Sequence, residues 1–307
     1  MMISGIWLPL VTPFKHGEVD LAALQKLIRY YAKTGISGFV ALGTTGESAL
    51  LSPAERLAVL ETFFDVVPTG MPVFIGVGGM STAEMCDAMS TYRAFDPAGY
   101  LIPAPAYIRP DQDGLLWHFS TIADAAKKPI ILYDVPVRSG VALAPETVEK
   151  LLYRHEIVAI KACVPASFTA FGKLPLSMLC GTDAALIECL LAGGSGGILA
   201  SAHVFPEALV AIDRDMRGAA EGAAPYGMAR RRSEASLDFD ALTDTIRLLF
   251  STSNPTAIKA CLALAGLARA ETRPPLTTAS DKLMEQLSRA LSVTPSALRR
   301  MPLSVLE

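Results

Sequence analysis

Short apolar runs rich in β-branched residues recur along the first two-thirds of the chain, and each is followed by a helical pattern. The runs are Ile6–Leu10, Gly38–Leu42, Pro72–Val77, Gly99–Pro103, Pro129–Tyr133, Glu156–Lys161, Ser177–Cys180 and Gly197–Ser201. Runs without polar alternation are expected of strands covered on both faces, as in a parallel sheet. The helices between them carry start signals. Asp20 precedes a helix with Leu21, Leu24, Leu27 and Ile28 on one face. Ser52-Pro53-Ala54-Glu55 combines a serine cap, a proline in the first turn and a capping-box glutamate, and Ser81-Thr82-Ala83-Glu84 repeats the box. Pro145 and Asp183 open two further helices, and Gly35 and Gly193 stand where helices stop. Eight such units predict an α/β fold of the (β/α)8 TIM-barrel type rather than an open doubly wound sheet. From about residue 221 only helical periodicity remains, over Ala224–Phe250, Asn254–Leu267, Ser280–Leu291 and a short piece at Pro295–Arg300. The expected organisation is a barrel over residues 1–220 and a C-terminal helical extension over 221–307.

Composition narrows the function classes. The 51% hydrophobic share supports a large core, and the net charge of -3 with no basic stripe argues against nucleic acid. Arg230-Arg231-Arg232 reads as a surface or subunit contact on a helix. The five cysteines are scattered and form no CxxC pair, which argues against a disulfide framework or a zinc site. His16, His118, His155 and His203 show no ligand spacing. No apolar run reaches the roughly 18 residues needed to cross a bilayer. A cytoplasmic protein without a membrane partner or metal is expected.

In a barrel of this kind, chemistry sits at the C-terminal ends of the strands. Four strand ends carry reactive side chains. Gly43-Thr44-Thr45-Gly46-Glu47-Ser48 follows the second strand and Ala106-Tyr107-Ile108-Arg109-Pro110 the fourth. Tyr133-Asp134-Val135-Pro136-Val137-Arg138-Ser139-Gly140 ends the fifth, and Lys161 ends the sixth. A lysine with its stem among apolar atoms is expected to have a lowered pKa, and a neutral amine attacks a ketone or aldehyde to give a Schiff base. Tyr133 is suited to shuttle the protons, with Thr44 linking it to Tyr107 in a hydroxyl relay. The Gly-Thr-Thr-Gly loop is a cradle for a small carboxylate, and Arg138 a fixed cation for a second one. Gly193-Gly194-Ser195-Gly196-Gly197 precedes the eighth strand and reads as a tight turn on the opposite face. Asp183 and Glu188 suit a helix cap and an exposed face better than a metal.

Together, the Gly43–Ser48 loop, the Tyr133–Gly140 segment and the strand-end Lys161 resemble the dihydrodipicolinate synthase / N-acetylneuraminate lyase family. The resemblance extends to Asn254-Pro255 and Arg273-Pro274-Pro275-Leu276. It implies a pyruvate-dependent class I aldolase that needs no cofactor beyond the covalent Schiff base through Lys161. It also implies a homotetramer, a dimer of dimers in which Tyr107 is donated by the neighbouring subunit. Tyr133 and Thr44 complete the catalytic set, and substrate contacts map to Thr44, Thr45 and Ile198. Arg138 matches the synthase branch, which condenses pyruvate with aspartate semialdehyde in lysine biosynthesis. The alternatives are a 2-keto-3-deoxy sugar acid aldolase or dehydratase of the same family, and a non-catalytic oxo-acid binder.

The chain departs from the family pattern at four places. Ala162 replaces the glutamate that usually follows the lysine, which is expected to alter the charge beside the amine. Asp134 replaces a common Asn and is expected to compensate. Pro165 stiffens the turn after Lys161, and Ala106 replaces an aromatic. The positions matching the lysine feedback site of some relatives hold Arg56, Met80 and Ala106, with Glu84 kept. Inhibition by lysine is therefore expected to be weak or absent.

Overall fold

Eight parallel strands close on themselves: β1 (Gly5–Pro9), β2 (Gly38–Ala41), β3 (Val73–Gly76), β4 (Gly99–Pro103), β5 (Ile130–Asp134), β6 (Ile157–Ala162), β7 (Ser177–Cys180) and β8 (Gly196–Ile198). Each strand pairs with its sequence neighbours, and β8 returns to β1, with Gly5 opposite Gly196 and Trp7 opposite Ile198. The chain folds as a (β/α)8 barrel. This computed structural model describes residues 2–218, 225–295 and 298. A two-residue hairpin after β1, Phe14–Lys15 with Glu18–Val19, was not legible in the apolar pattern.

The eighth strand is shorter than its apolar run. Leu199 makes a last bond to the Trp7 carbonyl, and Ala200–His203 then turn into a 3-10 helix. The Ser201 N–H leaves the ladder because it donates to the Asp183 carboxylate at 2.6 Å. Asp183 is thus buried and holds the end of β8, contrary to the expected role as a helix cap on an exposed face.

Alternation along the strands separates two cores. Trp7, Val40, Phe74, Leu101, Ile131, Ala159, Leu179 and Ile198, one from each strand, fill the barrel. Trp7 and Phe74 meet edge to face at 5.3 Å. The opposite faces pack against the helices in a larger cluster. The caps at Asp20 and Ser52 fall where the sequence puts them, whereas Ser81 accepts from Glu84 N at 3.4 Å without the reciprocal arm of a box. Asp20 accepts from Ala23 N at 2.9 Å at the start of α1 (Leu21–Tyr31). Ser52 and Glu55 form both arms of the capping box of α2 (Pro53–Val66).

β6 contains the irregularity that matters most. Opposite β5, Ile130 pairs with Ile157 but Ile131 with Ala159, so Val158 is an extra residue. Ile157 belongs to the outer cluster, whereas Val158 and Ala159 both face the barrel interior. Strict alternation from Ile157 would turn Lys161 outward into the helix layer. The bulge reverses the parity, so Lys161 points inward and lies opposite Tyr133.

Beyond the barrel come helices Pro225–Leu249, Thr256–Leu264 and Asp281–Val293. The second begins two residues later than its sequence pattern, because Asn254 and Pro255 remain in the preceding turn. In the expected Pro295–Arg300 piece, 296–297 and 299–300 lie outside the described residues. Among the described residues, no helix is long and apolar enough to cross a membrane.

Candidate active site

Because the strands are parallel, the loops after β2, β4, β5 and β6 gather at one end of the barrel. Lys161 is the last inward residue of β6 and is 6% exposed. Its ammonium nitrogen stands 4.4 Å from the centre of the Tyr133 ring. Tyr133 acts electrostatically on both Lys161 and Cys163. Burial disfavours the ammonium, yet Tyr133, Cys163 and Asp183 around it favour it more, and its pKa is raised. This overturns the sequence expectation of a lowered pKa. The apolar stem was visible in the sequence, but the polar groups brought to Nζ by three other positions were not.

Two expectations about local charge also change. Ala162 is fully buried in the outer cluster, on the face opposite Lys161. The residue after the lysine therefore does not set the charge beside the amine. Asp134 also faces away from the barrel interior and accepts from Leu143 N at 2.9 Å. Burial pushes its carboxyl up, against that backbone bond, so it does not compensate a charge at Lys161. The groups that do surround the amine are Cys163, whose thiol burial pushes up to about 11, and Asp183.

Gly181 went unnoticed in the sequence. A Cβ there would fall 2.4 Å from Cys163 Sγ, 2.9 Å from Lys161 Cγ and 3.0 Å from Lys161 Cε. The absence of a side chain at the end of β7 makes room for the lysine stem, a close approach that a lone glycine in a loop does not advertise.

The Gly43–Glu47 loop is bracketed by Leu42 and Glu47, both in the left-handed region at φ 54° and 53°. Such residues persist where their surroundings hold them. Gly76 at the end of β3 lets the loop lie close, since a Cβ there would meet Leu42 O at 2.6 Å. Thr12 Oγ1 donates to Gly46 O at 2.7 Å, and Asn254 Nδ2 donates to Thr45 Oγ1 at 2.9 Å. Glu47 is buried and forms an ion pair with Lys259, which is wholly buried, while Arg273 N donates to Glu47 Oε2 at 2.9 Å. Burial pushes the Lys259 ammonium down to about 8 against the pull of Glu47, so it is charged at neutral pH.

A cavity of about 640 Å³ opens beside this cluster, and Thr44, Tyr133 and Arg138 line it together with Arg56, Met80 and Glu84. Arg138 is exposed on the turn Pro136–Ser139. Thr45 and Ile198 are buried, the latter on the inward face of β8. Tyr107 stands apart. It is 85% exposed, has φ 71° and does not line the cavity. Its loop is tied to the Arg138 turn by Arg109 Nε, which donates to Gly140 O at 3.0 Å. The structure thus gathers Lys161, Tyr133, Thr44, Thr45, Arg138 and Ile198 at one end of the barrel and leaves Tyr107 outside. Among the described residues no group of His, Cys, Asp or Glu is placed to hold a metal ion.

The sequence profile of the Dihydrodipicolinate synthetase family matches residues 2–294. The chain belongs to that family. A curated member, 4-hydroxy-tetrahydrodipicolinate synthase 2 of Clostridium acetobutylicum, is 36% identical over 301 residues, 95% of this chain and 100% of that protein. The chloride-inhibited dihydrodipicolinate synthase of Acinetobacter baumannii, solved with pyruvate, superposes with a TM-score of 0.87 at 30% identity, over 95% of this chain and 98% of that one. A monomeric dihydrodipicolinate synthase variant gives 0.88 at 29% identity, over 95% and 96%. As a dihydrodipicolinate synthetase family member, the protein is a lyase of the class I aldolase type. The family works through a covalent Schiff base between a lysine and pyruvate, without an external cofactor.

Proposed function

We propose that this protein condenses pyruvate with aspartate semialdehyde through a Schiff base on Lys161, the reaction of a 4-hydroxy-tetrahydrodipicolinate synthase. The observation that carries the reading is the inward Lys161 amine above the Tyr133 ring at the floor of the strand-end loops. In this reading Lys161 attacks C2 of pyruvate, forming the N–C bond while the carbonyl oxygen takes a proton. Tyr133 relays protons as the carbinolamine loses water to give the iminium. Loss of a C3 proton gives the enamine, whose C3 bonds to the aldehyde carbon while the aldehyde oxygen takes a proton; the adduct's own amino group then adds to the regenerated iminium and displaces Lys161, closing the ring. Thr44 and Thr45 cradle the pyruvate carboxylate, Ile198 closes the inner wall, and Arg138 at the mouth holds the aldehyde's carboxylate. A permanently charged guanidinium there favours an acidic aldehyde over a neutral sugar chain. The outward Ala162 leaves the charge beside the amine to other groups, so the missing glutamate does not weigh against this assignment. The test is turnover of pyruvate with aspartate semialdehyde beside a panel of 2-keto-3-deoxy sugar acids. Faster turnover of a sugar acid would overturn the assignment.

The raised pKa of Lys161 sets the pH dependence. Its ammonium must lose a proton before attack. The rate of adduct formation at low pyruvate is expected to climb roughly tenfold per unit over the range where the neutral amine is scarce, from about pH 6 to about pH 9. A plateau already at neutral pH would show a depressed amine instead.

We further propose a homotetramer built as a dimer of dimers, with Tyr107 completing the relay of the adjoining subunit. Its 85% exposure, beside Ile108 at 58% and Met80 at 59%, supports a face that a second copy covers. Sedimentation as a monomer with undiminished turnover would count against this. Weak or absent lysine inhibition follows from Arg56, Met80 and Ala106 lining the cavity where Glu84 alone keeps the effector pattern. A titration with lysine that strongly reduces turnover would contradict it.

A further inference from the structure

We propose that the C-terminal extension positions the carboxylate cradle through Asn254 and Lys259, which makes both positioning residues for substrate binding. The inference rests on the reading of Thr44–Thr45 as that cradle. The loop does little to hold itself: its internal bonds are Gly46 N to Gly43 O and Glu47 N to Thr44 O, both 3.0 Å. Its two ends are left-handed at non-glycine residues. Much of what holds it comes from more than 200 positions away in the chain. Asn254 holds the Thr45 hydroxyl, Lys259 pairs with Glu47, and Arg273 N meets the other oxygen of the same carboxylate.

Lys259 is itself fixed on every side. Nζ donates to Glu271 O at 2.9 Å and stands 4.0 Å from the centre of the Phe14 ring. Arg273 lies over that same ring at 4.5 Å and bonds Glu55 at 2.8 Å and Gly17 O at 2.6 Å. A buried ion pair adds little net stability over an apolar pair of similar volume. What it supplies here is a fixed place for Glu47, and hence for the N–H groups next to it. Backbone N–H groups cradle an anion only while the loop conformation that converges them is held, so loosening the loop weakens binding.

The test varies pyruvate and reads the borohydride-trapped adduct, giving a half-saturating concentration and a limiting rate. The neutral pair Glu47→Gln with Lys259→Met keeps volume and removes both charges. It is expected to raise half-saturation at least about tenfold, the worth of about one hydrogen bond to a charged group, while the limiting rate stays within about threefold. Asn254→Ala, a milder change, is expected to raise half-saturation roughly threefold. Thermal melts check that each variant is folded, and Asn254→Ala decides alone if the double variant is not. Folded variants with wild-type half-saturation would overturn this inference. Failure of the wild-type protein itself to trap pyruvate would instead overturn the reading of the site.

Discussion

Replacing Lys161 by Met is expected to leave a folded barrel that forms no reducible adduct with pyruvate, with turnover down by at least about 10⁵-fold. The magnitude follows from losing a covalent intermediate held by the fold, since effective molarities of well-placed reactants reach about 10⁵ M or more. The fold survives because the stem, not the charge, fills the space beside Leu179 and Gly181. Asp183 keeps its bond from Ser201 N, and Tyr133 remains at the cavity wall. Circular dichroism melts should therefore differ little between the variant and the parent. Residual turnover within about 10²-fold would mean that another amine carries the reaction.

The second large effect concerns the other buried lysine. Lys259→Met alone is expected to destabilise the protein by about 3–5 kcal/mol, because it leaves the buried Glu47 carboxylate without its paired cation. Both side chains are fully buried, so solvent cannot take over the charge. Glu47→Gln added to Lys259→Met should return most of that loss, since the amide still accepts from Arg273 N. Denaturant titration of parent, single and double variants measures it. A single variant as stable as the parent, or a double variant no better than the single, would contradict the assignment of an ion pair at this place.

Much of the barrel was legible because each unit states itself locally. The runs that became β1 to β7 differ from their strands by at most two terminal residues, and those of β4 and β7 coincide with them. The end of β8 did not show, because Ser201 leaves the sheet for a carboxylate eighteen residues earlier. The orientation of Lys161 was legible only by luck of residue type. Its inward direction depends on the bulge at Val158, and an apolar run with no polar alternation carries no mark of where parity changes. The site residues were found as types at strand ends, whereas their environments were not. Cys163 from just past the end of β6 and Asp183 from beyond β7 act on the amine, and their presence reverses the expected shift of Lys161. Glu47 was read as part of a motif without a role. Lys259 sits in a helix of small and apolar residues, and only the fold reveals that it meets Glu47.

The most direct test of the central claim is intact-protein mass spectrometry after incubation with pyruvate and borohydride, with the adduct located by proteolysis. One reduced pyruvyl group per chain is expected, on Lys161, and none in Lys161→Met. A folded protein that takes up no adduct, or takes it up on another lysine, would contradict it.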